Sequence, residues 1–281
     1  AGSLVHTPGW DPISRYGSLV KCGPRFFMLH VIPTYQNTSA VMRMLLDDGS
    51  SLSEPETAFG VRPNPKCGGQ MCGNVNMAAN VAAECVNGHL VAFGGLRARY
   101  DFAPESTNVT TGIFRSRSVN GRGSRQPSPS RLWSAPRLVN NGNRSRCIER
   151  REPGSCSPYE FFHHCEFDGR LSVVRYRGAL LLYARANMHS CGGARHVQVA
   201  HSRDHGRTWS PFELVRIDGV EIRQENNIYF FQVQRDLSNA SRLVALYPAA
   251  LESGSVGGIC VSFSSDGVRW TAPERLMASE I

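Results

Sequence analysis

Long apolar runs and helical periodicity are nearly absent from this 281-residue chain. No stretch approaches the roughly 20 apolar residues that a membrane-spanning helix needs, so no membrane span is expected. Lysine is also scarce, with only Lys21 and Lys66, so the net charge of +8 comes mainly from arginine. A coding bias explains this usage as well as an acidic partner does, and charge alone therefore identifies no ligand.

The common short catalytic and nucleotide-binding motifs are missing as well. The chain has no G-x-S-x-G, no H-E-x-x-H, no P-loop and no G-x-G-x-x-G after a strand. These absences argue against α/β-hydrolase, HExxH metalloprotease, P-loop and dinucleotide-binding chemistry. Cys67-x4-Cys72 and His163-His164-Cys165 lack the spacing of zinc ribbons or zinc fingers. We therefore expect neither a metal nor a cofactor.

Cysteine, in contrast, is abundant, with nine residues in the chain. Four N-x-S/T sequons accompany the cysteines, at Asn37, Asn108, Asn143 and Asn239. Together these features are typical of a secreted or secretory-pathway protein. Two groups of cysteines are close in sequence, Cys67 with Cys72, and Cys147 with Cys156 and Cys165. We expect at least three disulfides with local pairing of this kind, and one cysteine left over.

Four similar units follow one another along the chain, each alternating short apolar strands with turn residues. They cover about residues 10–60, 74–140, 166–216 and 225–278. Turns are predicted at Gly23-Pro24, Asn87-Gly88 and Arg177-Gly178. Strands predicted in these units include 18–20, 26–32, 40–46, 76–81, 112–118, 133–139, 171–174, 179–184, 195–201 and 228–233. Residues 77–86 could also form a short helix, and only the register of the repeat favours a strand.

A four-stranded unit of this kind cannot bury both faces by itself, but units stacked about an axis can. The pattern therefore predicts an all-β protein, a single β-propeller domain over residues 1–281 with four-stranded blades. Four units are visible and five blades are expected, with residues 140–165 and the termini completing the fifth unless the chain is truncated. An Arg/Ser/Pro-rich insertion, residues 115–131, is predicted to be solvated. It lacks the basic and aromatic interleaving of single-strand binders, so no nucleic acid partner is expected.

Two look-alike segments end in tryptophan. The first box segment, residues 202–209, has the sequence SRDHGRTW, and the second box segment, residues 264–270, has the sequence SSDGVRW. The aspartate can accept hydrogen bonds from turn N–H groups and the glycine supplies positive φ, which indicates a structural hairpin turn. The structural residues predicted here are Ser202, Asp204, Gly206, Trp209, Asp266, Gly267 and Trp270. The first segment matches S-x-D-x-G-x-T-W and resembles the Asp-box of sialidase-type β-propellers.

Acidic residues stand at the start of the first strand in three of the four units. They are Asp11, Asp168 and Glu225. A structural repeat requires apolar and turn residues at these places, not carboxylates, so the pattern suggests a functional site. The alternative is that Asp11, before Pro12, and Asp168, before Gly169, only form turns.

Most of residues 160–277, and residues 10–140 in outline only, resemble the five-bladed glycoside hydrolases of the furanosidase, fructosidase and arabinanase type and their sialidase-like relatives. The resemblance rests on Phe167-Asp168-Gly169-Arg170, on residues 182–187 (LYARAN), on the first box segment and on residues 227–231 (NIYFF). It implies an acidic triad in which Asp11 is the nucleophile or base, Asp168 orients substrate and Glu225 is the general acid. The implied substrate-binding residues are Trp10, Arg170, Arg185, Asn187, Asn227 and Tyr229.

The chain departs from these families in its strict signatures. The N-D-P-N-G and R-D-P motifs of fructosidases are absent, and so is the F/Y-R-I-P arginine of sialidases, so sialic-acid chemistry is not supported. Arg170, Arg195 and Arg223 are placed where they could bind a carboxylate, but the sequence does not assign them as a triad.

Two functions remain open at this point. One is a glycoside hydrolase that uses the strand-start carboxylates on a poly- or oligosaccharide. The other is a catalytically inactive propeller that binds glycans or serves as an assembly subunit with protein partners in a larger complex. The recurrent carboxylates favour the enzyme, and the missing catalytic signatures favour the inactive subunit.

Overall fold

The computed structural model describes residues 15–33, 38–44, 56–60, 81–95, 112–117, 137–141, 171–188, 195–223, 226–251 and 257–278. All regular secondary structure in these ranges is β-strand, so the all-β prediction is confirmed. Within these ranges we find no helix that could cross a membrane.

The strands alternate with short turns along the chain. They are β1 (Arg15–Cys22), β2 (Arg25–Pro33), β3 (Thr38–Met44), β4 (Glu56–Gly60), β5 (Ala82–Val86), β6 (His89–Gly95), β7 (Gly112–Arg117), β8 (Arg137–Asn141), β9 (Ser172–Tyr176), β10 (Ala179–Asn187), β11 (Arg195–Ser202), β12 (Glu213–Leu214), β13 (Arg216–Ile217), β14 (Asn227–Ile228), β15 (Gln232–Arg235), β16 (Leu243–Ala250), β17 (Gly257–Ser264), β18 (Arg269–Trp270) and β19 (Glu274–Ala278).

Three sheets follow the order of the chain. Strands β1 to β4, β5 to β8 and β9 to β12 each form a four-stranded sheet in which sequential strands are neighbours. In the fourth sheet β16 pairs with both β14 and β15, then with β17, which pairs with β19. Such up-and-down sheets need only short connections between neighbouring strands. The first three sheets match the four-stranded units expected from the sequence, and the fourth has five strands. Closure into a ring and the number of blades remain predictions.

Three hairpin turns form where the sequence predicts them. Gly23, with φ of 63°, and Pro24 connect β1 to β2, where Cys22 pairs with Arg25. Asn87 and Gly88 have φ of 51° and 76°, and Arg177 and Gly178 have φ of 46° and 79°. A two-residue turn with positive φ at both positions matches the right-handed twist of the flanking strands. Asparagine and glycine tolerate this conformation well, whereas Arg177 is a less common occupant.

One predicted strand, 228–233, is split in the structure into β14 and β15. Ile228 pairs with Ala249 and Gln232 pairs with Leu246, so three residues on one strand face two on β16. The extra residue makes an irregularity of the β-bulge kind. Pro248 lies opposite this point and has no N–H to donate, although its carbonyl accepts the N–H of Tyr229 at 3.1 Å. The split places Tyr229 in an irregular segment.

Other boundaries also differ from the predictions. β5 begins at Ala82, after the predicted 76–81, and its strand conformation removes the helical alternative for residues 82–86. Of the predicted strand 133–139, residues 137–139 belong to β8, and residues 133–136 lie outside the described ranges. The first residues of the predicted insertion, 115–117, belong to β7, and residues 118–131 lie outside the described ranges.

The chain divides into two compact units, Ala1–Gly94 with Phe114–Arg137, and Gly95–Ile113 with Leu138–Ile281. In the first unit, Val20 and Leu29 pack with Val81, Ala83, Leu90 and Ala92. A disulfide between Cys22 and Cys85 joins β1 to β5 across 63 residues of sequence. The described bridge is therefore long-range, unlike the local pairing expected from the sequence. Cys260 is a buried free thiol, and the other six cysteines lie outside the described ranges.

The second unit has an aromatic core between its last two sheets. Phe231 contacts both Tyr247 and Trp270 with ring centroids 4.9 Å apart, and the ring of Tyr183 lies 6.0 Å from that of Trp270. All four side chains are buried. Each large apolar side chain removed from water contributes about 1.5–3 kcal/mol, and edge-to-face aromatic pairs add to this.

Candidate functional site

The first box segment forms a tight turn after β11. Ser202 Oγ donates to Asp204 Oδ1 at 2.8 Å and accepts from the N–H of Gly206 at 2.8 Å. Asp204 also accepts from the N–H groups of Arg207 and Thr208, at 3.0 and 2.9 Å, and from Thr208 Oγ1 at 2.6 Å. The indole N–H of Trp209 donates to Gly206 O at 3.2 Å. The residues at the fixed positions of the S-x-D-x-G-x-T-W pattern thus form hydrogen bonds within the turn.

The second box segment repeats this geometry after β17. Asp266 accepts from the N–H groups of Val268 and Arg269, both at 2.8 Å, and the Trp270 indole donates to Gly267 O at 3.2 Å. The hydroxyl of Tyr183, from β10, donates to the same carbonyl at 2.9 Å. Burial raises the pKa of Tyr183 well above its ordinary value, so the hydroxyl stays a donor. This turn therefore ties the fourth sheet to the third.

The electrostatics of both turns fit a structural role. Partial desolvation opposes ionisation of Asp204, but hydrogen bonds from Thr208, Ser202 and Arg207 outweigh it and lower its pKa to about 2. The pKa of Asp266 is lowered in the same way, with desolvation opposed by the N–H groups of Arg269 and Val268. Carboxylates held ionised by turn N–H groups are poor proton donors near neutral pH. These two aspartates are not suited to general acid catalysis.

One strand pairing and two hydrogen bonds align the last two sheets. β13 pairs in parallel with β18, which directly follows the second box turn. Ser172, the first residue of β9, accepts the Val233 N–H from β15 at 2.9 Å, and Arg235 Nε donates to Arg175 O at 2.8 Å. Ser172 thus contacts Val233 and Arg175 contacts Arg235, so residue numbers increase in the same direction along both strands. β9 and β15 are therefore parallel neighbours. The starts of these strands therefore lie at the same end of the second unit.

All three predicted catalytic residues, and two of the predicted substrate-binding residues, lie outside the part of the chain that the structure describes. Asp11, Asp168, Glu225, Trp10 and Arg170 lie outside the described residues. Asn187 is the last residue of β10 and pairs with Arg195 at the start of β11. Of the other arginines considered for carboxylate binding, Arg223 forms an exposed ion pair with Glu221.

The structure does bring three predicted substrate-binding residues together. The guanidinium of Arg185 lies over the ring of Tyr229, 5.5 Å from its centroid, and its Nη2 is 3.4 Å from Tyr229 O. Arg195 lies over the same ring at 4.9 Å. Asn227 Oδ1 accepts from both Nη1 and the backbone N–H of Arg195, at 3.1 and 3.3 Å. The sequence left Arg195 unassigned, although the predicted strand 195–201 already placed it at the start of a strand.

Strand register fixes where this group of residues lies. Tyr183 pairs with Ser172 at the start of β9, so Arg185 extends beyond the start of that strand. Arg185 pairs with Val197 and Asn187 with Arg195, which puts Arg185 and Arg195 on the same face as diagonal neighbours. Arg185 and Arg195, with Asn227 and Tyr229, are called the arginine–tyrosine cluster below. It lies at the end of the second unit where β9 begins.

A buried histidine lies next to the cluster. His196 is 4% exposed, and its Nε2 lies 2.9 Å from Val215 O, to which it donates. Burial lowers the pKa of His196, and the bond to Val215 only partly opposes this effect. The ring borders a small pocket of about 10 Å³ beside Tyr229 and a larger open groove of about 530 Å³. The groove is lined mainly by apolar side chains, namely Val215, Ile217, Val220 and Ile222.

The described ranges contain no group of three or more His, Cys, Asp or Glu side chains that could hold a metal ion. The arginine–tyrosine cluster instead offers positive charge, hydrogen-bond donors and an aromatic ring that is 42% exposed. Such a combination can bind a polar ligand that carries negative charge.

Comparisons with known proteins give structural matches only. No protein-family model and no curated protein matches the chain. An N-acetylgalactosamine deacetylase from F. plautii, solved with blood group B trisaccharide, is 16% identical with a TM-score of 0.52, and the match covers 96% of this chain and 72% of that one. The α-L-arabinofuranosidase of Fusarium graminearum, solved with an iminosugar inhibitor, is 10% identical with a TM-score of 0.54, covering 95% and 67%.

The α-L-arabinanase of Penicillium chrysogenum, solved with arabinobiose, is 11% identical with a TM-score of 0.54, covering 95% of this chain and 67% of that one. The arabinofuranosidase and the arabinanase are β-propeller glycosidases. The likeness is one of fold. At these identities it does not transfer an activity, and the chain spans about two thirds of the length of each of these two enzymes.

Proposed function

We propose that this protein is a carbohydrate-active β-propeller of the glycoside hydrolase type, acting on a poly- or oligosaccharide. The observation that carries the proposal is the arginine–tyrosine cluster, in which Arg185 and Arg195 both lie over the ring of Tyr229 and Arg195 donates to Asn227. These residues come from separate sheets, and the cluster lies where β9 begins. Sugar hydroxyls are bound by such side-chain donors and acceptors, and an exposed tyrosine supplies apolar ring surface.

The proposed catalytic residues precede the first strands of their sheets in sequence. Asp168 precedes β9 and Glu225 precedes β14, while Asp11 precedes β1. The parallel course of β9 and β15 supports a shared location for the first two, beside the arginine–tyrosine cluster. In the proposed mechanism Glu225 protonates the leaving oxygen, Asp11 attacks the sugar or activates water, and Asp168 orients the substrate. The carboxyl groups of acid and partner should be about 5–5.5 Å apart for retention, or about 6.5–9.5 Å for inversion.

The proposal also includes the propeller architecture and its number of blades. We infer a single propeller over residues 1–281 with five blades, of which four correspond to the four sheets. The hydrogen-bonded turns of the two box segments support a relationship to the sialidase-like propellers that carry Asp-boxes. Their location after the third strand of a sheet agrees with a structural hairpin, away from the strand-start end where we place the substrate.

We also infer a secreted or secretory-pathway glycoprotein. The Cys22–Cys85 disulfide supports an oxidising compartment. Asn239, one of the four sequon residues, is exposed in the turn before β16, and its Oδ1 accepts from Ser241 Oγ at 2.6 Å. The exposed position of Asn239 is compatible with an attached N-glycan.

The test is a hydrolysis screen that uses arabinan-type and other plant, algal and microbial oligosaccharides. Asp11→Asn and Glu225→Gln should lower kcat by at least about 10³-fold, because each removes a carboxyl that the reaction needs. The thermal midpoint should stay within a few degrees of wild type. Asp218→Asn, an exposed carboxylate after β13, is the control and should keep full activity.

Two outcomes contradict parts of this proposal. Unfolding of the Asp11 and Glu225 variants would show that these residues are structural. Binding on a glycan array with no hydrolysis in the wild type would favour the inactive glycan-binding subunit instead.

A further inference from the structure

Two hairpin turns and the two box segments meet at the end of the second unit where β9 ends, opposite the arginine–tyrosine cluster. Ser202, the last residue of β11, pairs with Leu180 near the start of β10. Ser264, the last residue of β17, pairs with Leu243 at the start of β16. Because β9 and β15 are parallel neighbours, the last residues of β9, β11, β15 and β17 all lie at this end.

Tyr176, the last residue of β9, holds three of these segments together. Its buried hydroxyl lies within hydrogen-bond distance of Ser241 O, in the turn before β16, and 3.0 Å from Ser265 O in the second box segment. The guanidinium of Arg177 lies over the Tyr176 ring, 5.2 Å from its centroid. The side chains on these turns therefore belong to one continuous surface.

Arginine is concentrated on this surface. The segments that form it contain six arginines and three aspartates, with no lysine and no glutamate. This excess of three positive charges lies in 27 residues, compared with an excess of eight in all 281. The surface is called the basic end below, and its segments are residues 176–179, 202–209, 235–242 and 264–270.

The aspartates of the basic end have partners within their own turns. Asp236 forms an ion pair with Arg242, and Asp204 and Asp266 accept hydrogen bonds from the N–H groups that follow them. Exposed guanidinium groups therefore dominate the charge that the basic end presents to solvent. The exposed arginines are Arg177, Arg203, Arg207, Arg235 and Arg269.

The spread of these charges favours a polymer over a small ligand. Neighbouring strands lie about 4.8 Å apart, so the ends of β9, β10 and β11 together with those of β15, β16 and β17 extend over on the order of 20 Å. A single exposed ion pair contributes little to binding. A polymer with repeated anionic groups can contact several arginines at once, and these weak contacts then reinforce one another.

The other side chains of the basic end favour a polysaccharide among such polymers. Tyr176, Trp209 and Trp270 are buried, so these segments offer no exposed aromatic ring on which nucleobases could stack. Leu237 is the one large apolar side chain exposed in these segments, whereas peripheral membrane binding buries an apolar face. The Cys22–Cys85 disulfide supports an oxidising compartment, where the protein would meet polysaccharides and not nucleic acids.

We propose that the basic end binds a polysaccharide with repeated anionic groups, at a surface separate from the proposed substrate end. The inference rests on the secreted location inferred above and not on hydrolysis. Binding is by charge, so the basic end selects for the density of sulfate or carboxylate groups and not for one sugar. A polymer bound there leaves the strand-start end open to a saccharide.

The experiment compares charged polymers with uncharged counterparts. Dextran sulfate is paired with neutral dextran, and polygalacturonate with its methyl ester. Each polymer is immobilised, and binding of the full chain is measured by biolayer interferometry. The protein is made in a secretory host, so that any N-glycan on Asn239 is in place. We expect each charged polymer to bind at least about 10-fold more tightly than its counterpart near 0.1 M salt, and to weaken as added salt screens the charges.

Paired substitutions locate the binding surface. Arg203→Gln with Arg207→Gln removes two charges from the first box segment and should weaken binding of dextran sulfate about 3- to 10-fold. Arg177→Gln with Arg269→Gln removes two charges from the other turns and should have a similar effect. Thermal unfolding shows whether each variant is folded.

A matched control removes the same net charge elsewhere in the second unit. Arg223→Gln with Arg275→Gln changes two exposed arginines outside the basic end. This variant should bind dextran sulfate within about 2-fold of wild type, because exposed charges beyond a screening length contribute little.

Each outcome has a defined consequence. Equal binding of charged and uncharged polymers, or no binding of either charged polymer, overturns the inference and leaves the proposed function intact. Equal losses in the control and in the two paired variants show that net charge, and not the basic end, causes binding. Tighter binding to duplex DNA or to phosphatidylserine-containing vesicles overturns the choice of a polysaccharide. Binding of the charged polymers without hydrolysis in the broader screen supports this inference and contradicts the proposed enzyme.

Discussion

At the scale of single residues, Gly267 shows how the second box segment is restricted by its surroundings. Its φ is +86°, a region that side-chain-bearing residues rarely adopt. A Cβ at this position would lie 2.5 Å from Leu181 Cδ1 and 2.9 Å from the Tyr183 hydroxyl. The backbone conformation and the close approach of β10 therefore both demand glycine.

Gly267→Ala should lower the free energy of unfolding by about 2–4 kcal/mol, because left-handed strain and overpacking add together. Gly219→Ala is the matched control, since its φ is +74° but nothing lies within 4 Å of the added Cβ. It should cost only about 1–2 kcal/mol, the strain alone. Urea unfolding of both variants measures the difference, and equal losses would show that the contact with Leu181 and Tyr183 relaxes at no cost.

At the scale of the element, the turn of residues 202–209 is held by an ionised side chain. The hydrogen bonds to Asp204 exist because the carboxylate accepts from backbone and hydroxyl donors, and they lower its pKa to about 2. The folded-state pKa is thus below the ordinary value of about 3.9 in unfolded chains. The stability that this carboxylate contributes is present above pH 4 and is lost as the pH falls towards 2.

Asp204→Asn should therefore destabilise the protein by about 1 kcal/mol near neutral pH, after solvent screening is taken into account. The difference from wild type should shrink between pH 4 and pH 2, where the wild-type carboxylate becomes protonated. Denaturant unfolding at intervals from pH 6 to pH 2 provides the measurement. A difference that stays constant over this range would show that the charge of Asp204 does not support the turn.

At the scale of the whole molecule, sheet contacts distant in sequence bind each compact unit together. In the first unit the Cys22–Cys85 bridge links β1 to β5, closing a loop of 63 residues. In the second unit, buried Tyr183 of the third sheet packs against Phe231 and Trp270, beside Tyr247 of the fourth sheet. A covalent bond in the first unit and apolar packing in the second unit thus each hold together strands that are distant in sequence.

Replacing Cys22 and Cys85 with serine should lower the free energy of unfolding by about 3–4 kcal/mol, since a long closed loop restricts the unfolded chain. The oxidised double variant and oxidised wild type are compared by guanidinium unfolding. Cys260→Ala is the control for loss of a cysteine without loss of a bridge, because Cys260 is a free thiol. A double variant as stable as wild type would mean that the bridge adds nothing to the first unit.

By itself the sequence determined the β-strands, three two-residue turns and the residues of both box segments. These features follow from local rules, because alternating apolar residues, Asn-Gly pairs and Asp-Gly turns have their preferences within a few residues of chain. The tertiary structure decided the features that depend on distant partners. It paired Cys22 with Cys85 instead of a near neighbour, split the strand at 228–233 opposite Pro248, and placed Arg195 beside Tyr229. Register between strands and packing between sheets set these contacts, and no short stretch of sequence contains that information.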